Sequence, residues 1–194
     1  MDVIEYGNNW FIEDQLDNEL LNDIKNFFDK NLEFLYNDKE GYSTTGHNAE
    51  QYWIKKKGNN EFLYKNKEYE DIERRFREGI HGRLKAASFL KTNNTQGDGF
   101  IDGISVVLYL NVPDSEDSKD SSNSICLVLH TDPSSNFLNK SCPSVYHIKP
   151  EVGKVLIFPY NIPHGTYPQT KGIRQTFNID YWFSTKSEST LNYS

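Results

Sequence analysis

Four residues of this chain, His130, Asp132, His164 and Arg174, have the types and spacing that chemistry would need. His130-Thr131-Asp132 closes the apolar run "LVLH", and residues i and i+2 of a strand point to one face. An imidazole and a carboxylate there could hold one ion together, and this is the only His-x-Asp in the chain. His164 follows the strand-like "GKVLIFPY", and Arg174 begins the aromatic-rich "IRQTFNIDYWF" ten residues later. If those two segments pair as antiparallel strands, both side chains can face one interior. Imidazole and carboxylate ligands suit a divalent transition metal, and a guanidinium fork grips a carboxylate with two parallel hydrogen bonds. Each residue also has a plain structural alternative. Asp132-Pro133-Ser134-Ser135 is strong turn chemistry that needs no metal. His164 could be an exposed turn histidine, and Arg174 could pair with an acid such as Asp180.

The elements that must position these residues are legible in the periodicity. "EDQLDNELLNDIKNFFDK" carries Leu16, Leu20, Leu21, Ile24, Phe27 and Phe28 at three- and four-residue spacing, which predicts an amphipathic helix with acids early in the segment. "KEYEDIERRFREGI" predicts a second, with Tyr69, Ile72, Phe76 and Ile80 on one face and Gly79 near its end. From Arg83 the pattern reads as strands: "RLKAASFLK", "ISVVLYLNV", "SICLVLH", "SVYHIKP", "GKVLIFPY" and "IRQTFNIDYWF". Consecutive short strands predict a sandwich or barrel with the helices packed on an outer face. We therefore expect one domain, with a helical part over 1–82, a β-rich core over 83–185 and a tail over 186–194. "PDSEDSKDSSNS" has no large apolar residue and predicts a surface loop.

Composition bounds the partners. With 12 Tyr, 12 Phe and 3 Trp, the core should be aromatic and mainly β. A formal charge of -7 argues against broad attraction to nucleic-acid phosphates, and Lys55-Lys56-Lys57 beside Gly58 reads as a solvated loop. No secretory pattern opens the chain and no apolar run approaches the roughly 20 residues of a membrane helix. Cys126 and Cys142 form no CxxC pair, so the expectation is a soluble cytoplasmic protein with two free thiols.

The strand, turn and strand around His164 and Arg174 resemble the iron(II)- and 2-oxoglutarate-dependent oxygenase superfamily, in particular its short prolyl-hydroxylase-like and phage-type members. "GKVLIFP" looks like the strand that leads to the distal iron histidine, which His164 matches. Arg174 matches the arginine that holds the far carboxylate of 2-oxoglutarate, with Thr176 where a hydroxyl often assists. "VVLYLN", Val106 to Asn111, is similar to the family's "YLN" strand. The resemblance covers about half of the chain. It implies an α+β, mainly β protein built on a double-stranded β-helix, or jelly roll. It also implies Fe(II) on two histidines and a carboxylate, and hydroxylation of a small-molecule or peptide substrate.

One departure from the family's order bears on the metal. There the His-x-Asp pair precedes the "YLN" strand, whereas His130 follows it; the preceding segment offers Asp98 and Asp102 but no histidine. Three arrangements stay open: His130 and Asp132 join His164, or Asp98 or Asp102 serves with His164, or the fold persists without iron. The matching functions are a 2-oxoglutarate-dependent dioxygenase, a non-catalytic jelly-roll binding or structural protein, and a cupin-like metalloprotein using His130, Asp132 and His164 without 2-oxoglutarate. Of the other histidines, His47, His81 and His147 read as structural. "GDGFIDG" has spaced aspartates but lacks the calcium-loop pattern.

Overall fold

Fourteen residues of apolar periodicity become α1, Asn18–Asn31, in the computed structural model, which describes residues 1–6, 9–37, 52–53, 66–87, 103–113, 127–130, 145–162, 164–166, 172–183 and 191–193. Asp17 caps the helix by accepting the Leu20 amide at 2.8 Å, which satisfies one of the otherwise orphaned first-turn donors. Leu20, Leu21, Ile24 and Phe27 are its buried face. A short 3-10 turn, Leu32–Phe34, follows, and then a two-residue ladder of β3 (Tyr36–Asn37) with β4 (Tyr52–Trp53).

The second helix, α2, is Lys67–Ala86. Tyr69, Ile72, Phe76 and Ile80 are buried as their spacing predicts, and Leu84 extends the same stripe. Here the boundary read from the sequence moves. "RLKA", expected to open a strand, is the last turn of α2, and Ala87 follows it in a turn. A 3.6-residue stripe continues through Ile80 and Leu84, and Gly79 does not end the helix.

The described residues group into two compact units, Asp17–Gly79, and Met1–Leu16 with Ile80–Ser194. In the first, the Phe27 and Tyr69 rings meet at 5.6 Å, and Arg75 forms ion pairs with Asp23 and with Asp71. The second is built on antiparallel strands. β1 (Asp2–Tyr6), β2 (Asn9–Gln15), β5 (Gly103–Asn111), β8 (Lys154–Pro159), β10 (Gln175–Phe183) and β11 (Leu191–Tyr193) form a six-stranded sheet in the order β1-β2-β8-β5-β10-β11. β6 (Leu127–His130), β7 (Val145–Ile148) and β9 (His164–Thr166) form a three-stranded sheet in the order β7-β6-β9. Among the described residues the chain is thus α+β, with a mainly antiparallel β body and two α-helices. Its first fifteen residues supply two strands, where the sequence suggested a helical N-terminal part: Ile12 registers with Ile157 and Asp14 with Val155, so β2 fills one edge of β8.

Residues directly opposite in an antiparallel pair share a face. Phe11, Tyr109, Leu156 and Phe158 lie on one face of the larger sheet by that register, and they form a buried cluster with Ile148 and Ile162. Phe11 also meets Tyr146 of β7 at 4.6 Å between ring centroids, so the two sheets face one another across this core. On the opposite face, Arg83 at the end of α2 donates to Asp14 Oδ2 at 2.7 Å and to the Gln15 carbonyl at 3.1 Å. β5 is buried on both faces, which is why "ISVVLYL" reads as a continuous apolar run rather than an alternating one. Gly153, at φ 82°, turns the chain into β8, and its amide donates to the Tyr109 carbonyl at 2.8 Å. The left-handed backbone explains glycine at that position. No described helix is long and apolar enough to cross a membrane.

Candidate functional site

His164 opens β9 immediately after the turn that follows β8. Its imidazole packs edge-on against Phe158, with ring centroids 4.9 Å apart at 68°. Its Nδ1 lies 2.8 Å from the Ile162 carbonyl oxygen. A carbonyl accepts only, so Nδ1 is the donor in this contact, and in the neutral ring Nε2 is then the lone-pair nitrogen. A metal-binding histidine is commonly held in this way, its other nitrogen donating to a backbone carbonyl.

Arg174 stands just before β10 on the far side of the same core. Burial pushes the guanidinium pKa down, while the nearby Tyr109 opposes that shift by favouring the cation. Tyr109 is itself 1% exposed and belongs to the cluster that contains Phe158. Thr176 registers directly opposite Tyr109, just past an irregularity between Gln175 and Thr176. The irregularity places Gln175 opposite Asn111, whose side-chain amide donates to the Ile173 carbonyl at 2.7 Å. These contacts anchor the strand start that carries Arg174. A desolvated guanidinium, a phenol and a threonine at one end of β10 are chemically suited to a carboxylate ligand. The sequence did not single out Tyr109, although it is the aromatic residue of the "YLN" motif. Asp180, an alternative partner for Arg174, lies six residues along the same strand, about 20 Å away, and it accepts instead from the Ser105 hydroxyl at 2.7 Å.

The smaller sheet fixes the register of the two histidines. His164 registers with Leu129, and Leu129 with Tyr146, whose ring packs into the core. His130 occupies the neighbouring position, opposite Val145. Neighbouring positions of a regular ladder alternate between its two faces, so His130 and His164 register one position out of phase. The His130 side chain and Asp132 lie outside the described residues, as do Asp98, Asp102, His47, Cys126, Cys142, the Lys55 to Lys57 run and most of the "PDSEDSKDSSNS" segment. Among the described residues no three His, Cys, Asp or Glu side chains come together as metal ligands. His164 is exposed at the start of β9, and Arg174 is half-buried just before β10. Comparison with protein-family models, curated proteins and solved structures found no match.

Proposed function

We propose that this protein is an Fe(II)- and 2-oxoglutarate-dependent dioxygenase that hydroxylates a small-molecule or peptide substrate. The observation that carries the proposal is the half-buried Arg174 just before β10, two residues from the Thr176 that registers with Tyr109, in the buried cluster whose Phe158 packs against His164. On this reading the two antiparallel sheets are the halves of a jelly roll. His164 Nε2 is one metal ligand, and His130 and Asp132 complete the set at the end of β6. Arg174 grips the distal carboxylate of 2-oxoglutarate through its planar fork, and Thr176 adds a hydroxyl donor. When bound, Fe(II), 2-oxoglutarate and O2 supply the oxidising power that turns a substrate C–H into C–OH while 2-oxoglutarate becomes succinate and CO2. The protein's own part is to hold one imidazole tautomer, neutralise the co-substrate in a desolvated niche and keep water from the apolar wall formed by Phe158, Tyr109 and Leu156.

Calorimetric titration of 2-oxoglutarate into protein loaded with Fe(II) without oxygen tests this. Saturable binding that Arg174→Gln abolishes, with succinate formed on admitting oxygen and lost in His164→Ala, supports it. Absence of both co-substrate binding and succinate ends it.

A second reading is favoured by the register of β6 and β9, which sets His130 one position out of phase with His164. On this reading the chain is a non-catalytic jelly-roll protein in which Arg174 binds an anionic ligand. It predicts 2-oxoglutarate or a similar dicarboxylate bound with equal affinity in the presence and absence of Fe(II). A cupin-like metalloprotein would instead bind metal and leave Arg174 without a role.

A further inference from the structure

At the end of the larger sheet remote from Arg174, three strands bring Trp182, Gly103 and Tyr160 into one row. Trp182 registers with Gly103, and the Tyr160 amide donates to the Gly103 carbonyl at 3.2 Å. With no side chain between them, the two rings close over Gly103, centroids 4.4 Å apart at 55°. A methyl group on Gly103 would lie 2.8 Å from the Tyr181 carbonyl oxygen and 3.1 Å from the Trp182 ring, so the position is reserved for glycine. Trp182 is half-buried, and Tyr160 is 37% exposed.

The next row on the same face holds Asp180, Ser105 and Phe158. Ser105 is 7% exposed, and its hydroxyl donates to Asp180 Oδ1 at 2.7 Å, which orients a carboxylate that is itself exposed. Among the described residues, no ion pair involves Asp180. An oriented carboxylate beside two aromatic rings is the chemistry that recognises an organic cation, through charge and through the negative ring faces. Phe158 in this row is also the residue against which His164 packs.

We infer that Asp180, Trp182 and Tyr160 bind the ammonium or guanidinium group of the substrate. This rests on the oxygenase reading for the placement of the reacting carbon beside His164. Rows on one face are two residues apart, about 7 Å along the strand. A cation in the aromatic row therefore reaches the His164 row through a chain roughly as long as that of a lysine side chain. The substrate class is an aliphatic amine or guanidine, free or carried on a peptide, and the net charge of -7 draws such cations to the protein.

The test titrates n-butylammonium into the full chain and follows the Trp182 indole N–H resonance by NMR, with n-pentanol as an uncharged control of similar apolar content. The expected result is a saturable shift at millimolar concentrations, weakened about fivefold in Asp180→Asn and in Tyr160→Leu, with no response to n-pentanol. Tyr160→Leu leaves the Ser105–Asp180 bond untouched, so a folding defect in one variant does not end the test. An absent shift, an equal response to n-pentanol, or wild-type binding in both variants overturns the inference. 2-Oxoglutarate binding is measured on the same sample without amine. Its failure with amine binding intact removes the oxygenase reading alone, and the opposite result removes the cation site alone.

Discussion

Phe158 and His164 meet edge-on at 4.9 Å, so the imidazole at the mouth of β9 is held by a ring that is itself fully buried in the core with Tyr109 and Leu156. Position and stability are thereby coupled at one residue. Phe158→Ala should cost about 3–5 kcal/mol, the range for emptying an aromatic site in a packed core. Phe158→Leu, which keeps most of the volume, should cost less. Urea denaturation of both variants measures the difference, and equal midpoints for the alanine variant and wild type would contradict the packing described.

Arg174 should show the opposite relation between binding and stability. Its guanidinium is desolvated, so the folded state carries a charge it does not favour. Arg174→Met should melt at or above the wild-type temperature while losing 2-oxoglutarate binding. Arg174→Lys should bind at least about tenfold more weakly, because an ammonium cannot make the two parallel hydrogen bonds. Differential scanning calorimetry and titration of the co-substrate together check both statements. A melting temperature that falls in step with binding would make Arg174 a structural residue.

Asp14 should make stability depend on acid. Burial alone would push its carboxyl up, but hydrogen bonds from the N-terminal ammonium, the Gln15 amide and Arg83 outweigh that and hold it below the usual 3.8. Because the folded pKa is the lower one, this contribution is fully present above the unfolded value near 4. It is lost as pH falls from there through the folded value. Asp14→Asn should therefore be less stable than wild type at pH 7 by about 1 kcal/mol, and the gap should close below pH 4. Unfolding midpoints at pH 7, 5 and 3 decide it; a gap that widens on acidification would reverse the sign assigned here.

Gly103 should tolerate no side chain. The Tyr181 carbonyl oxygen stands 2.8 Å from where a methyl group would sit, and that contact is with backbone. Gly103→Ala should destabilise by about 1–3 kcal/mol, the usual cost of forcing extra volume into a packed site. The same change should separate Tyr160 from Trp182 and alter the tryptophan emission, which fluorescence reads directly. An alanine variant with wild-type stability and emission would show that β5 and β10 can part at their ends without cost.

Periodicity alone identified much of this molecule. The stripe from Leu20 to Phe27 and that from Tyr69 to Ile80 became helices with those residues buried, because a 3.6-residue repeat of apolar side chains has no other way to leave water. Apolar runs bounded by Gly, Pro and Asn became β5, β6, β7, β8 and β10. Local pattern failed where the partner was distant. β1 and β2 have a weak signal, and they are strands because β8 offers Asn9–Gln15 an open edge some 140 residues away in sequence. "RLKA" stayed helical because Leu84 continues a buried stripe that only packing reveals.

The candidate site divides in the same way. Residue chemistry by itself marked His164, Arg174 and the His130-Thr131-Asp132 triplet, since imidazole, guanidinium and carboxylate groups announce what they can bind. Tertiary structure decided their relations. It set Tyr109 opposite Thr176, Phe158 against His164, and Ser105 opposite Asp180. It also set His164 in register with Leu129 rather than with His130. A one-residue step in a ladder changes the face a side chain occupies, and the register of β6 against β9 is fixed by hydrogen bonds between segments more than thirty residues apart, which no local spacing encodes.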